Sequence, residues 1–264
     1  MPDHALALLA ITLGAATING ALGYGFSSIT VPLALLFMSN RTLNPALVLI
    51  EVPLNAYVLW VNRSELSNVW RRLLPMVIGL IPGVVVGTML VSRVSPDWLK
   101  LWTYVTLLPL ILLQAAGFRR PIRAERPAAF VFGGGVGLLY SVTTISGPPL
   151  AIALNNQGLA KKEFRAALGF VRLAESSMTA VAYLSTGLFT SSSIALIPWI
   201  VPSVAIGVPI GARLIQRMSP ETFRRICMSF DAWIVGFGLS KLLNDLRIIA
   251  TSAAYLVLLG VIIL

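Results

Sequence analysis

Cysteine and histidine are almost absent from this chain: Cys227 and His4 are the only examples among 264 residues. One cysteine cannot form an internal disulfide. Neither residue type is present in the numbers that a Cys-based or His-based metal site needs, so a disulfide scaffold and such metal sites are excluded, and no cofactor or metal catalysis is expected. Charge is scarce as well. Asp, Glu, Lys and Arg make up 11% of the residues, against roughly 25% in a soluble domain, while 57% are hydrophobic and the mean hydropathy is +0.85. Acidic residues are the scarcer sign, 10 against 20 Lys and Arg. A net charge of +10 in a soluble protein points to nucleic acid. Here no aromatic-interleaved basic patch accompanies it, and the cations fall in short loops between apolar runs, as positive-inside residues of a membrane protein do.

Apolar runs lie at about 5–38, 44–62, 73–92, 98–117, 127–158, 164–184, 194–215, 221–240 and 246–264. Most are near the roughly 20 residues that a membrane-spanning helix needs. The class is therefore an all-α polytopic membrane protein with the lipid bilayer as its solvent. The N-terminus has no basic segment ahead of its apolar run, so a removable signal peptide is not expected.

Runs one and five are longer than a crossing requires, and each is interrupted by residues that oppose a continuous helix. The first interruption reads Gly20-Ala-Leu-Gly-Tyr-Gly-Phe-Ser-Ser-Ile-Thr-Val-Pro-Leu33, the second Gly137-Leu-Leu-Tyr-Ser-Val-Thr-Thr-Ile-Ser-Gly-Pro-Pro-Leu150. Gly costs backbone entropy and Pro removes a donor, and backbone freed inside a bilayer must be satisfied by protein, water or ligand. Two broken or re-entrant helix hairpins are expected, with halves of roughly 12–16 residues, each too short to cross alone at about 1.5 Å per residue. A binding site is expected at the breaks.

The second half repeats the first. Gly83-x-x-x-Gly87-x-x-Leu90-x-x-Arg93-x-Ser95-Pro96 recurs as Gly207-x-x-x-Gly211-x-x-Leu214-x-x-Arg217-x-Ser219-Pro220, an unbroken offset of 124, and the two breaks align at an offset of 117. The Gly-x-x-x-Gly pairs read as close helix packing. If both broken runs are re-entrant, thirteen loop cations fall on one side of the membrane and only Arg41, Arg93, Lys100, Lys241 and Arg247 on the other. That bias favours seven crossings with the N-terminus outside and the C-terminus inside. The resulting organisation is a first repeat at 1–117, a basic cytoplasmic linker at 118–126, a second repeat at 127–244 and a final crossing at 245–264. Three crossings per repeat invert the second copy relative to the first.

The two Gly-rich segments closing on Pro-Leu, followed by the Gly-x-x-x-Gly and Ser-Pro pattern, resemble the TauE/SafE sulfite exporter family over residues 10–245. Members commonly carry more glycine where this chain has Tyr24, Phe26 and Tyr140. The resemblance implies transport of sulfite or a small organosulfonate such as sulfoacetate across a bacterial inner membrane, by alternating access, outward, with proton coupling an open question.

The residues favour an anion independently. Second half-helices starting near Ser27-Ser28 and near Ser146-Gly147-Pro148 would aim free N–H groups and the positive ends of their dipoles at the midplane. Tyr24, Ser27, Ser28, Thr143, Thr144, Ser146 and Gly147 are the candidate binding residues at the breaks; the alternative is that the hydroxyls satisfy broken backbone. Intramembrane charges default to function. Arg172 is the candidate for direct contact with an oxyanion, since a guanidinium reads such groups with paired donors. Glu175 and Ser176 lie one turn on, and an Arg172–Glu175 ion pair serving stability is the alternative. Asn55 aligns with Glu175 at an offset of 120, and either lines a central cavity or bonds between helices. Glu51, Glu175 and Asp231 are candidates for carrying a proton, Glu51 because an apolar setting would favour its neutral form. Asn19 either coordinates an ion or substrate or bonds freed carbonyls. An anion channel of the same fold and an intramembrane enzyme are the rival readings; the enzyme lacks a paired nucleophile and base.

Overall fold

The computed structural model describes residues 4–115, 126–155, 157, 159–214, 220–249, 256 and 260. Every regular element among them is helical. In chain order these are α1 (Ala5–Leu22), α2 (Phe26–Ala34), α3 (Asn40–Val61), α4 (Leu66–Arg93), α5 (Pro96–Ala115), α6 (Arg126–Thr143), α7 (Gly147–Asn155), α8 (Lys161–Ser185), the single turn α9 (Ser191–Ile194), α10 (Ile197–Leu214) and α11 (Pro220–Asp245). An apolar chain that cannot hydrogen-bond its backbone to lipid must do so within each segment, and helices achieve that. Among the described residues four segments are long and apolar enough to cross a membrane: Ala5–Leu22, Asn40–Val61, Arg63–Arg93 and Ser191–Leu214. Most of the basic linker and of the final C-terminal run falls outside the described residues, as do Arg217 and Ser219 of the repeated motif.

Both expected breaks are present, and both are off-centre. The first is Gly23-Tyr24-Gly25, with φ +85° at Gly23 and +109° at Gly25, values that a side chain would strain. The second is Thr144-Ile145-Ser146, where Thr144 itself adopts φ +56°. The first arms run 18 residues and the second arms nine, rather than the near-equal halves expected, and α1 is long enough to cross alone. The helix persists through Gly20 because that residue is pressed against the backbone of Val208, which leaves no room for a side chain and no freedom to unwind. The His4 ring, at the head of α1, lies 4.8 Å from that of Phe37, just beyond α2, so the first pair of arms folds back on itself.

Carbonyls freed at the break ends are taken up by side chains from other helices. Asn44 of α3 donates to the Val142 carbonyl at 2.7 Å, and the Tyr183 hydroxyl of α8 donates to the Ser141 carbonyl, both in the last turn of α6. Tyr104 of α5 donates to the Pro32 carbonyl of α2 at 2.8 Å. Orphan carbonyls at a helix end need such partners, and in lipid water is not the default one.

Each first arm packs on the Gly-x-x-x-Gly helix of the other repeat: α6 on α4, and α1 on α10. A Cβ at Gly83 would overlap the Gly134 carbonyl of α6, and one at Gly211 would overlap the Thr17 carbonyl of α1. The small residues therefore bring backbones into direct contact, as the spacing predicts. The remaining principal pairs are α3 with α8 and α5 with α11, each helix meeting its counterpart from the other half of the chain, and α4 with α8.

One pair of equivalent seams is packed differently. On one side, Leu73, Val77 and Leu80 of α4 join Leu168, Phe170 and Ala174 of α8 in a single apolar cluster. Across the other seam, Ile197, Val201 and Val204 of α10 and Ile50, Pro53 and Leu54 of α3 line a cavity of about 620 Å³. A smaller cavity of about 160 Å³, sharing Tyr57, Val208 and Pro209 with it, runs past Asn19, Gly20 and Gly23 at the first break to Asn62 and Arg165.

Candidate functional site

Glu51 sits near the middle of α3, has no exposed surface, and is the point on which the two breaks converge. Its Oε1 accepts from the Ser27 hydroxyl at 2.5 Å and from Arg172 Nη2 at 2.9 Å, and its Oε2 accepts from the Tyr140 hydroxyl at 2.7 Å. Ser27 is in the first turn of α2, Tyr140 one turn before the second break on α6, and Arg172 on α8. Three elements from both halves of the chain thus deliver donors to one carboxylate.

Glu175 lies one turn beyond Arg172, and its Oε1 accepts from the Ser146 hydroxyl, the last residue before α7, while standing 3.9 Å from Arg172 Nε. The cluster contains one guanidinium between two carboxyls, all buried: Arg172 is 2% exposed, Glu51 and Glu175 0%. The Arg172–Glu175 pair considered from sequence is present, though long, and a second, closer pair joins Arg172 to Glu51. Arg172 pairs most closely with Glu51 across helices and only loosely with Glu175. Glu51 correspondingly occupies a polar, donor-rich setting rather than the apolar one expected of it. Arg172 Nε and Nη1 and Glu175 Oε2 have no hydrogen-bond partner. Buried polar atoms of this kind are costly unless something bonds to them.

The other candidates divide by where their polar atoms point. Tyr24, buried in the first break, lies against Gly147 at the start of α7: a Cβ built on Gly147 would stand 3.3 Å from the Tyr24 ring. The two breaks therefore touch. Ser28 donates to the Gly25 carbonyl at 3.1 Å, Thr143 to the Leu139 carbonyl at 2.7 Å and Thr144 to the Thr143 carbonyl at 2.6 Å, so these hydroxyls serve local backbone. Ser176 donates to the Arg172 carbonyl at 2.7 Å, and Asn55 reaches the same carbonyl from α3 at 3.4 Å, fixing the helix turn that carries the guanidinium. Asn19 is buried with its Oδ1 unpartnered and lines the small cavity below the first break. Asp231 lies outside the residues whose side chains are described.

Tyr140 is the member of this cluster that the sequence does not single out as a donor. It registered only as a departure from the glycine-rich pattern. Its position one helical turn before Thr144 was the available signal, since a hydroxyl there sits at the rim of the break. Among the described residues no group of three or more His, Cys, Asp and Glu is arranged to hold a metal ion.

A helical membrane protein in which two interrupted helices meet over a buried guanidinium, with hydroxyl donors from both, has the construction of a transporter for a small anion. The chain belongs to the TauE/SafE sulfite exporter family: the family's sequence profile, described as "Sulfite exporter TauE/SafE", matches residues 8–239. It is also 29% identical over 184 residues, 66% of this chain and 68% of the other, to a protein of Cupriavidus necator named "Probable sulfite/organosulfonate exporter TauE". No solved structure matches the chain.

Proposed function

We propose that this protein is a secondary transporter that moves sulfite or a small organosulfonate, such as sulfoacetate, out across a bacterial inner membrane by alternating access. The single observation that carries the reading is the convergence of Ser27, Tyr140 and Arg172 on one buried carboxylate, with two further guanidinium nitrogens unpartnered. A guanidinium fork and hydroxyl donors match the oxygens of a sulfite or sulfonate group, and family membership supplies the sulfur chemistry that geometry alone does not. In this reading Arg172 holds the anion, Ser27, Tyr140 and Ser146 complete its donor shell, and Glu51 and Glu175 are the groups available to exchange protons.

The reading includes two inverted repeats related by an axis in the membrane plane. The exchanged packing of α1 on α10 and α6 on α4 supports it, because each break is then braced by the other repeat. Alternating access is supported by the unequal seams. The α4–α8 seam is filled while the α3–α10 seam is gapped, which is what two copies of one structure in different conformations produce. The open seam leads from the first break toward Arg165 and Lys162, among the loop cations assigned to the cytoplasmic side.

The test is efflux from proteoliposomes loaded in parallel with sulfite, sulfoacetate, taurine, sulfate and acetate. Flux of sulfite or a sulfonate, accumulated against its own gradient when a proton gradient is imposed, is expected. Flux of acetate or sulfate alone sinks the substrate assignment, and strictly downhill flux of the sulfur anion would identify a channel.

A further inference from the structure

Resting on the substrate reading above, we propose that Glu51 is a tethered competitor for the anion, and that the anion binds only together with a proton taken up by Glu51. The proposal follows from where the donors point. Donors suited to an oxyanion are present, but Ser27, Tyr140 and Arg172 Nη2 are all committed to Glu51, at 2.5, 2.7 and 2.9 Å. The carboxylate already fills the role of the ligand. Arg172 engages it through one nitrogen only, although carboxylates are commonly gripped by two parallel guanidinium bonds. The other two nitrogens, Nε and Nη1, are buried without a hydrogen-bond partner, Nε standing 3.9 Å from Glu175 Oε1. The guanidinium thus commits one nitrogen to an internal anion and keeps hydrogen-bonding capacity at two others.

Charge decides the rest. One guanidinium faces two carboxyl groups, so an incoming anion would place three acidic groups around a single cation away from water, where like charges repel strongly. A proton from the aqueous phase on the open side, bound to a Glu51 oxygen, removes one of those charges and frees Arg172 Nη2 for the substrate. No bond other than the O–H forms, and the proton leaves with the anion when Glu51 recaptures Arg172. Glu51 rather than Glu175 is the group concerned because it alone occupies the Ser27 and Tyr140 donors. The titratable groups facing it are Tyr140 from α6 and Arg172 and Glu175 from α8. Its neighbour α2 contributes Ser27, and α10 presents apolar side chains to α3 along the seam.

The experiment is calorimetric titration of the purified full-length protein with sulfoacetate, whose sulfonate and carboxylate stay ionised near neutral pH. Titrations are run in buffers of different ionisation enthalpy and repeated across a range of pH. Uptake of about one proton per anion, with wild-type affinity weakening about tenfold per pH unit above neutral, is the expected result. Glu51→Gln keeps an acceptor for Tyr140 while removing the exchangeable proton; it should bind sulfoacetate with no proton uptake and little dependence on pH. Glu175→Gln should still take up the proton. Wild-type binding without proton uptake, or undiminished uptake by Glu51→Gln, overturns the inference while leaving the substrate reading intact. The pH series on wild type alone decides the matter if Glu51→Gln does not fold. Failure of folded wild-type protein to bind sulfite or any sulfonate removes the substrate reading and this inference together.

Discussion

Arg172 and Glu51 are 121 positions apart in sequence and 2.9 Å apart in space, joining α8 of the second repeat to α3 of the first. The pair crosses between equivalent helices of the two halves. Removing one member of a buried pair leaves the other charge uncompensated, at a cost of about 3–5 kcal/mol, whereas replacing both with apolar residues can be neutral. Glu51→Leu and Arg172→Leu should therefore each lower the thermal midpoint of the purified protein sharply, and the double variant should recover most of the loss. Additive losses in the double variant would show that the two side chains do not act as a unit.

Arg172→Ala is expected to abolish sulfonate binding while leaving protein that still elutes as a folded species in detergent, destabilised by the unpaired Glu51. Thermal-shift titration with sulfite and sulfoacetate checks it, since a ligand that binds only the native state raises its midpoint. Unchanged midpoint shifts would remove Arg172 from the site.

The glycines make separable demands. Gly83→Leu should prevent folding, because its Cβ would overlap the Gly134 carbonyl and no side-chain rearrangement can relieve a backbone clash. Gly14→Ala, an exposed helical position with nothing within 4 Å, should instead raise stability by about 0.5–1 kcal/mol. Comparing the two by expression and thermal midpoint distinguishes packing from a general intolerance of substitution.

At the meeting of the breaks, Gly147→Ala introduces a Cβ 3.3 Å from the Tyr24 ring. A few tenths of an ångström of movement are needed there, and the ring is fixed within a break of two positive-φ glycines. Transport should slow in Gly147→Ala and recover in part when Tyr24→Ala is added, measured as initial efflux rate normalised to protein inserted.

The gapped seam supplies a mechanical test. Ala205→Trp, on the α10 wall of the 620 Å³ cavity, should hold α3 and α10 apart. Turnover is expected to fall on the order of tenfold while equilibrium sulfonate binding is retained, the pattern of a blocked conformational step. Equal loss of binding and turnover would place the cavity at the substrate site instead.

Asn44→Ala leaves the Val142 carbonyl without its donor at the end of α6, at a cost of about 1–3 kcal/mol for a buried unsatisfied group. The expected outcome is a lower thermal midpoint together with impaired transport, because the carbonyl belongs to the turn that positions Tyr140.

By itself the sequence determined the class of the protein, its two interruptions and its close-packed glycines. Hydropathy, Gly and Pro chemistry and a fixed repeat offset are local properties, and lipid permits few responses to them. The starts of α2 and α7 were legible for the same reason, near Ser27 and at Gly147. The unequal arms were not, since Gly20 stays helical only because Val208 of a distant helix is pressed against it. Tertiary structure alone decided the partner of Arg172. Spacing offers Glu175 as the near neighbour, but a side chain on one helix meets whatever the facing helix presents, and α3 presents Glu51. The same holds for Tyr140 and Ser27, whose hydroxyls become a matched pair only when folding brings both breaks to one carboxylate.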